Sequence, residues 1–127
     1  MNVTLWILQG VLGVAFAGAG LMKLALDKKV LADKGMGFVD EVSPGFVKAL
    51  GAAELLGAIG VVLPAIVNIA PILVPVAATC LALVMVGAVV VHIRRAEHAA
   101  ILAPAVLFVM AAVVAWGRFG PYAFSIV

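Results

Sequence analysis

Cysteine and charged residues are scarce in this sequence. Its one cysteine, Cys80, lies inside an apolar run, so neither an intrachain disulfide nor a CxxC redox pair is available. Charged residues make up 11% of the chain, whereas a soluble domain has about 25%. The net charge is only +2, and the basic residues lie mostly beside apolar segments rather than in one patch. This distribution argues against nucleic acid as a partner.

Hydrophobic residues, in contrast, make up 67% of the chain, and the mean hydropathy is +1.33. This composition is typical of an integral membrane protein. A chain of 127 residues has room for four spans of about 20 residues with short connections, but not for an added soluble domain. We therefore predict an all-α integral membrane four-helix bundle that forms one domain over residues 1–127.

Four apolar runs give the expected spans. They cover residues 3–26, 45–64, 72–91 and 99–116. Ser43 and Pro44 form a strong start signal for the second helix, because the hydroxyl can cap it and proline suits its first turn. Pro64 is expected to mark its end. The first run is too long for the apolar core of a usual signal peptide, so we expect it to be a retained span.

The basic residues of the connections predict the orientation of the spans. One side carries Lys28, Lys29, Lys34, Arg94 and Arg95, whereas Arg118 lies alone on the other. The positive-inside rule then places both charged connections in the cytoplasm and both termini outside. The long connection, residues 27–46, is expected to be a solvated loop, because Gly35 and Gly37 would interrupt an amphipathic helix.

Glu54 is the residue that most needs an explanation. It lies inside the small-residue, apolar stretch 51–60, where an ionisable group costs at least a few kcal/mol and usually finds a partner. Lys23, at the end of the first span, and His92, at the end of the third, can reach the same depth. We predict that these three residues form one polar cluster. It is either a staple that fixes helix packing or a site that binds a ligand or handles protons.

Small residues mark the expected helix contacts, because they let backbones approach closely. Gly20, Gly57 and Gly87 are the candidate packing positions. Gly18 and Lys23 in the first span also stand at the same offset as Gly87 and His92 in the third. This faint repeat suggests two helical hairpins related in parallel.

Three motifs together resemble the DoxX-like family of small four-helix membrane proteins. They are Gly20-Leu21-Met22-Lys23, Glu54-Leu55-Leu56-Gly57 leading to Pro64, and Gly87-Ala88 leading to His92 and Arg94-Arg95. The resemblance implies a bundle in the bacterial inner membrane. Some relatives are subunits of quinone-linked oxidoreductases or partners in oxidative-stress complexes, and distant eukaryotic relatives act as assembly factors. The match carries over Lys23, Glu54, Gly57 and His92 without fixing their roles.

Two classes of function remain open. In the first, the bundle binds a hydrophobic molecule such as a quinone or lipid between its helices, as a subunit of an oxidoreductase system. In the second, the protein is structural or assists assembly, and the polar cluster only fixes packing. Partner candidates are membrane lipid, a partner protein and a second copy of the chain. We expect no intrinsic cofactor and no metal site, and no catalytic residue is identified.

Overall fold

The computed structural model describes residues 2–124, and α-helices form most of this range. They are α1 Asn2–Ala25, α2 Lys28–Asp33, α3 Pro44–Gly60, α4 Leu63–Val67, α5 Leu73–Arg94 and α6 Leu102–Phe119. Two short 3₁₀ helices, Gly37–Glu41 and His98–Ile101, lie in the connections.

Within residues 2–124, four helical segments are long and apolar enough to cross a membrane. They are Asn2–Ala25, Pro44–Val67, Leu73–Arg94 and His98–Phe119. The prediction of an all-α membrane protein with four spanning helices is confirmed.

The spans pack as two hairpins. Helix α1 packs mainly against α3 and α5 mainly against α6, and the hairpins join where α1 contacts α6 and α3 contacts α5. The shared core includes Leu5, Leu12, Phe16, Leu81 and Val114, each at most 1% exposed. Many large apolar side chains point outward instead, as expected for helices whose solvent is lipid.

The second span differs from the prediction that Pro64 ends it. The Ser43 hydroxyl accepts a hydrogen bond from the Phe46 amide at 3.1 Å, which caps the start as expected. Helix α3 ends at Gly60, but α4 begins three residues later and carries Pro64 in its first turn. Proline is tolerated there because first-turn amides have no helical acceptor. The span therefore continues to Val67, and Asn68 follows it with a φ of 53°.

Most residues of the connection between the first two spans are exposed, as predicted, but the segment also forms two short helices and a small core, so the prediction of a loop is wrong on this point. Leu31 and Val39 are fully buried and pack with Val47 in a small second core. The glycines do interrupt the helix as expected, since α2 ends before Gly35, whose φ is 95°. Lys28 Nζ donates to the Val42 carbonyl at 2.6 Å, which ties the two ends of the segment together. The end of the bundle that carries this connection is called the loop end, and the opposite end, where the chain begins and α6 ends, is called the terminal end.

Candidate functional site

The site at the loop end begins with a close crossing of α1 and α3. A Cβ atom on Gly20 would lie 2.6 Å from the Gly51 carbonyl oxygen and 2.8 Å from the Leu55 nitrogen. A Cβ on Gly51 would in turn lie 2.7 Å from Lys23 Cβ. Real Cβ atoms do not approach other atoms so closely, so glycine at both positions lets the two backbones touch. This contact places the side chains of the following helical turn next to each other.

Lys23 and Glu54 form an ion pair just beyond this crossing. Lys23 Nζ lies 2.9 Å from Glu54 Oε1, and the two side chains are only 7% and 3% exposed. A buried charge that loses its partner is costly, so each of these residues requires the other. The ion pair links the first two spans and leaves little of either charge in contact with solvent.

His92 has a different partner. Its Nδ1 lies 3.0 Å from Glu97 Oε1, in the turn that follows α5. Because a carboxylate can only accept, Nδ1 carries the proton in this pair and Nε2 is the other polar atom of the ring. Arg95 bonds Glu97 as well, with its Nε 3.3 Å from Oε1, and also bonds Glu41 of the folded connection. The turn after α5 is thus tied to the segment after α1.

A cavity of about 360 Å³ brings the three predicted residues together. Lys23, Glu54 and His92 all border it, although the ion pair and the His92 pair are separate. The remaining lining residues are Phe38, Glu41, Val42, Phe46, Leu50, Val84, Met85, Gly87, Ala88 and Val91. Its volume lies at the lower end of the range for ligand pockets, about 300–1,000 Å³. An apolar wall with a few polar groups is the usual composition of such a pocket.

The three candidate packing glycines lie in different surroundings. Gly20 is at the backbone contact described above. A Cβ on Gly57 would lie 2.5 Å from Leu81 Cδ2, so Gly57 lets α5 approach α3. Gly87 is exposed, and a Cβ there would meet nothing within 4 Å. Gly87 therefore lines the cavity and does not lie at a contact between helices.

Acid should weaken the loop end through Glu97. The hydrogen bond from His92 and the nearby Arg95 lower the pKa of Glu97 below its ordinary 4.5. A carboxyl group whose pKa is lower in the folded than in the unfolded state stabilises the fold at pH values above its unfolded-state pKa. This contribution is lost as the pH falls through the folded-state pKa. We expect the melting temperature of the parent to exceed that of Glu97→Gln at pH 7, and the difference to shrink progressively below about pH 4.5.

The control for this pH series is Asp33→Asn. Asp33 is exposed and has no ion-pair partner among residues 2–124. This variant should therefore follow the parent over the whole series. A constant difference between parent and Glu97→Gln from pH 7 to pH 3 would contradict the assignment.

A second polar cluster, which the sequence analysis missed, lies at the terminal end. Gln9 is fully buried, and its Nε2 donates to the Val61 carbonyl at 2.8 Å where α3 ends. Arg118 is 2% exposed, and its Nε donates to Gln9 Oε1 at 2.8 Å. The available signal was an amide side chain within an apolar span, since such groups usually bond a neighbouring helix.

These features define a four-span helical membrane protein with a polar ion pair and a cavity at one end of its bundle. The family model of the DoxX-like family matches residues 7–114, which include the second and third spans, most of the first and fourth, and the ion pair. The chain belongs to the DoxX-like family. No curated protein matches the chain. No solved structure matches it either.

Proposed function

We propose that this protein binds a hydrophobic molecule with a polar head group, such as a quinone, in the cavity at the loop end. In this proposal it serves as a subunit of an oxidoreductase system, together with a partner protein or a second copy of the chain. The loop end faces the cytoplasm of a bacterium, and both termini face outward across its inner membrane.

The observation that carries the proposal is the lining of the cavity. A predominantly apolar wall suits the ring and chain of a quinone, and the polar groups that border it come from three spans and, through Glu41, from the folded connection. Lys23 and Glu54 supply a donor and an acceptor that are already fixed in place by their 2.9 Å contact. Groups fixed in advance lose little freedom on binding, which favours affinity.

The three side chains have complementary chemistry toward such a head group. The Lys23 ammonium can donate a hydrogen bond to a carbonyl oxygen, and the Glu54 carboxylate can accept one from a hydroxyl. His92, with Nδ1 engaged by Glu97, keeps Nε2 for a proton donor or acceptor at the same cavity. Imidazole is the side chain best suited to exchange protons near neutral pH. Electrons for any reduction would come from the partner, since we assign no redox centre to this chain.

The structural function is the second candidate, and the burial of the ion pair favours it. Lys23 and Glu54 satisfy each other at a backbone contact between α1 and α3. In this case the pair acts as a staple, and the bundle presents its folded connection to a partner protein.

Filling the cavity tests the binding function directly. Gly87→Phe adds a large side chain at a cavity-lining position where a Cβ meets nothing within 4 Å. The probe is decylubiquinone, added to the purified protein in neutral detergent, and the readout is the melting temperature. We expect decylubiquinone to raise the melting temperature of the parent by a few degrees and to have little effect on Gly87→Phe.

Gly18→Phe is the matched control. Gly18 is also an exposed glycine of a spanning helix with open space around a Cβ, but it does not border the cavity. It should keep the full response. A parent that decylubiquinone does not stabilise would favour the structural function, and an equal response of both variants would place any binding outside the cavity.

A further inference from the structure

The cluster at the terminal end contains a buried cation that has no counter-charge among residues 2–124. Within the described part of the chain, Arg118 Nε and Nη1 bond only neutral groups, namely the Gln9 amide at 2.8 Å, the Asn2 amide at 2.6 Å and the Tyr122 carbonyl at 3.0 Å. Its third nitrogen, Nη2, is buried and has no hydrogen-bond partner among residues 2–124. Two aromatic rings pack against the guanidinium, with its carbon 4.1 Å from the Phe124 centroid and 5.6 Å from that of Trp6.

The acidic side chains of this protein cannot neutralise Arg118. The sequence has six of them: Asp27, Asp33, Asp40, Glu41, Glu54 and Glu97. Five belong to the connections at the loop end, and Glu54 is paired with Lys23. Burying an arginine beside neutral dipoles alone leaves a large desolvation cost uncompensated. The missing charge must therefore come from outside these side chains.

An open pocket of about 520 Å³ beside Arg118 can hold an anion that supplies this charge. Arg118 lines this pocket together with Asn2, Trp6, Ala65, Tyr122 and Phe124. Arg118 stands in the last turn of α6, at the end of the fourth span, beside aromatic residues of the kind that lie at head-group level in membranes. Phosphate oxygens of lipids lie at this level, and a guanidinium nitrogen donates strong, charge-assisted hydrogen bonds to them.

We propose that the terminal-end pocket is a binding site for a phosphate oxyanion, held by Arg118 beside Trp6 and Phe124. The phosphate can come from the head group of an anionic lipid or from free phosphate in solution. It supplies the negative charge that Arg118 lacks and an acceptor for Nη2. This site is independent of the cavity at the loop end and of any ligand there.

The experiment measures the melting temperature of the full chain in mixed micelles. One arm compares phosphatidylglycerol with phosphatidylcholine at equal mole fraction, and the other compares sodium phosphate with sodium chloride at equal ionic strength. A rise of about 4 °C is expected at a tenfold excess over the dissociation constant. A rise with phosphatidylglycerol only identifies a lipid, and a rise in both arms shows that phosphate alone is sufficient; either supports the site.

Asn2→Asp is the decisive variant, because it keeps the arginine. Asn2 Oδ1 already accepts from Arg118 Nη1, so an isosteric carboxylate supplies the missing charge from within. This variant should melt higher than the parent without added anion and lose most of the anion response. Asn68→Asp is the control, since it adds the same charge at the same end, away from the pocket, and aspartate tolerates its left-handed backbone. It should respond like the parent.

Three results would overturn the proposal. The first is a parent that neither phosphatidylglycerol nor phosphate stabilises. The second is an anion response that persists in full in Asn2→Asp, because neutralising Arg118 would then be irrelevant. The third is a response that appears only after residues 125–127 are removed, because the chain itself would then supply the anion.

Discussion

Replacing Glu54 alone with leucine is expected to lower the free energy of unfolding by about 3–5 kcal/mol, the larger of the two main effects. The variant leaves the Lys23 ammonium buried, with its 2.9 Å partner removed. Lys23 is only 6% exposed, so water compensates little of the lost interaction. Lysine inside a membrane span is costly even when its long side chain reaches toward the interface.

The double variant Lys23→Met and Glu54→Leu separates this cost from loss of packing. Replacing both members of a buried ion pair with apolar residues of similar size is often neutral or stabilising, because no charge remains to be desolvated. We expect the double variant to recover most of the stability that Glu54→Leu loses. The parent, the single variants Lys23→Met and Glu54→Leu, and the double variant form a double-mutant cycle. Unfolding by dodecyl sulfate in mixed micelles measures the free energy of unfolding of all four. Additive losses in the double variant would show that the pair contributes no coupling energy.

The same variants bear on the proposed function. If the double variant is stable but decylubiquinone no longer raises its melting temperature, the ion pair serves the ligand and is not needed for the fold. If it is stable and still responds, the cavity binds through its apolar wall, and His92 and Glu41 are the remaining polar candidates. The stability and the binding response therefore report on different roles of the same two residues.

The spans were predictable because their signal is local. Runs of apolar residues of sufficient length lie at 3–26, 45–64, 72–91 and 99–116, and the structure has spanning helices over the same parts of the chain. The prediction that Pro64 ends the second span was wrong, because α3 ends at Gly60 and the helix resumes at Leu63 with proline in its first turn. Both outcomes satisfy the local preference of proline, so the sequence does not distinguish them.

Partners across the bundle were harder to predict. Depth along each helix placed Lys23 and Glu54 near each other, but the same reasoning could not show that His92 bonds Glu97. That bond depends on the turn after α5, where Ala96 adopts a φ of 56° and Glu97 follows it. Arg118 and Gln9 are 109 residues apart, and their contact depends on how the two hairpins dock. No local pattern encodes such docking.

Gly20→Ala is the second large effect, and we expect it to lower the free energy of unfolding by about 2 kcal/mol, within the range typical of overpacking. The added methyl group would lie 2.6 Å from the Gly51 carbonyl oxygen and 2.8 Å from the Leu55 nitrogen. Both are backbone atoms of α3, so no rotation of a side chain can relieve the overlap. The two helices must move apart, which also lengthens the adjacent ion pair between Lys23 and Glu54.

Gly18→Ala is the matched control for this prediction. Gly18 lies two residues earlier on the same helix, and a Cβ there meets nothing within 4 Å. Alanine is the better helix former by up to about 1 kcal/mol, so this variant should be neutral or more stable than the parent. Unfolding in mixed micelles compares the two. If Gly20→Ala proves as stable as Gly18→Ala, then α1 and α3 do not cross in backbone contact at Gly20 and Gly51, and the crossing does not hold the ion pair in place.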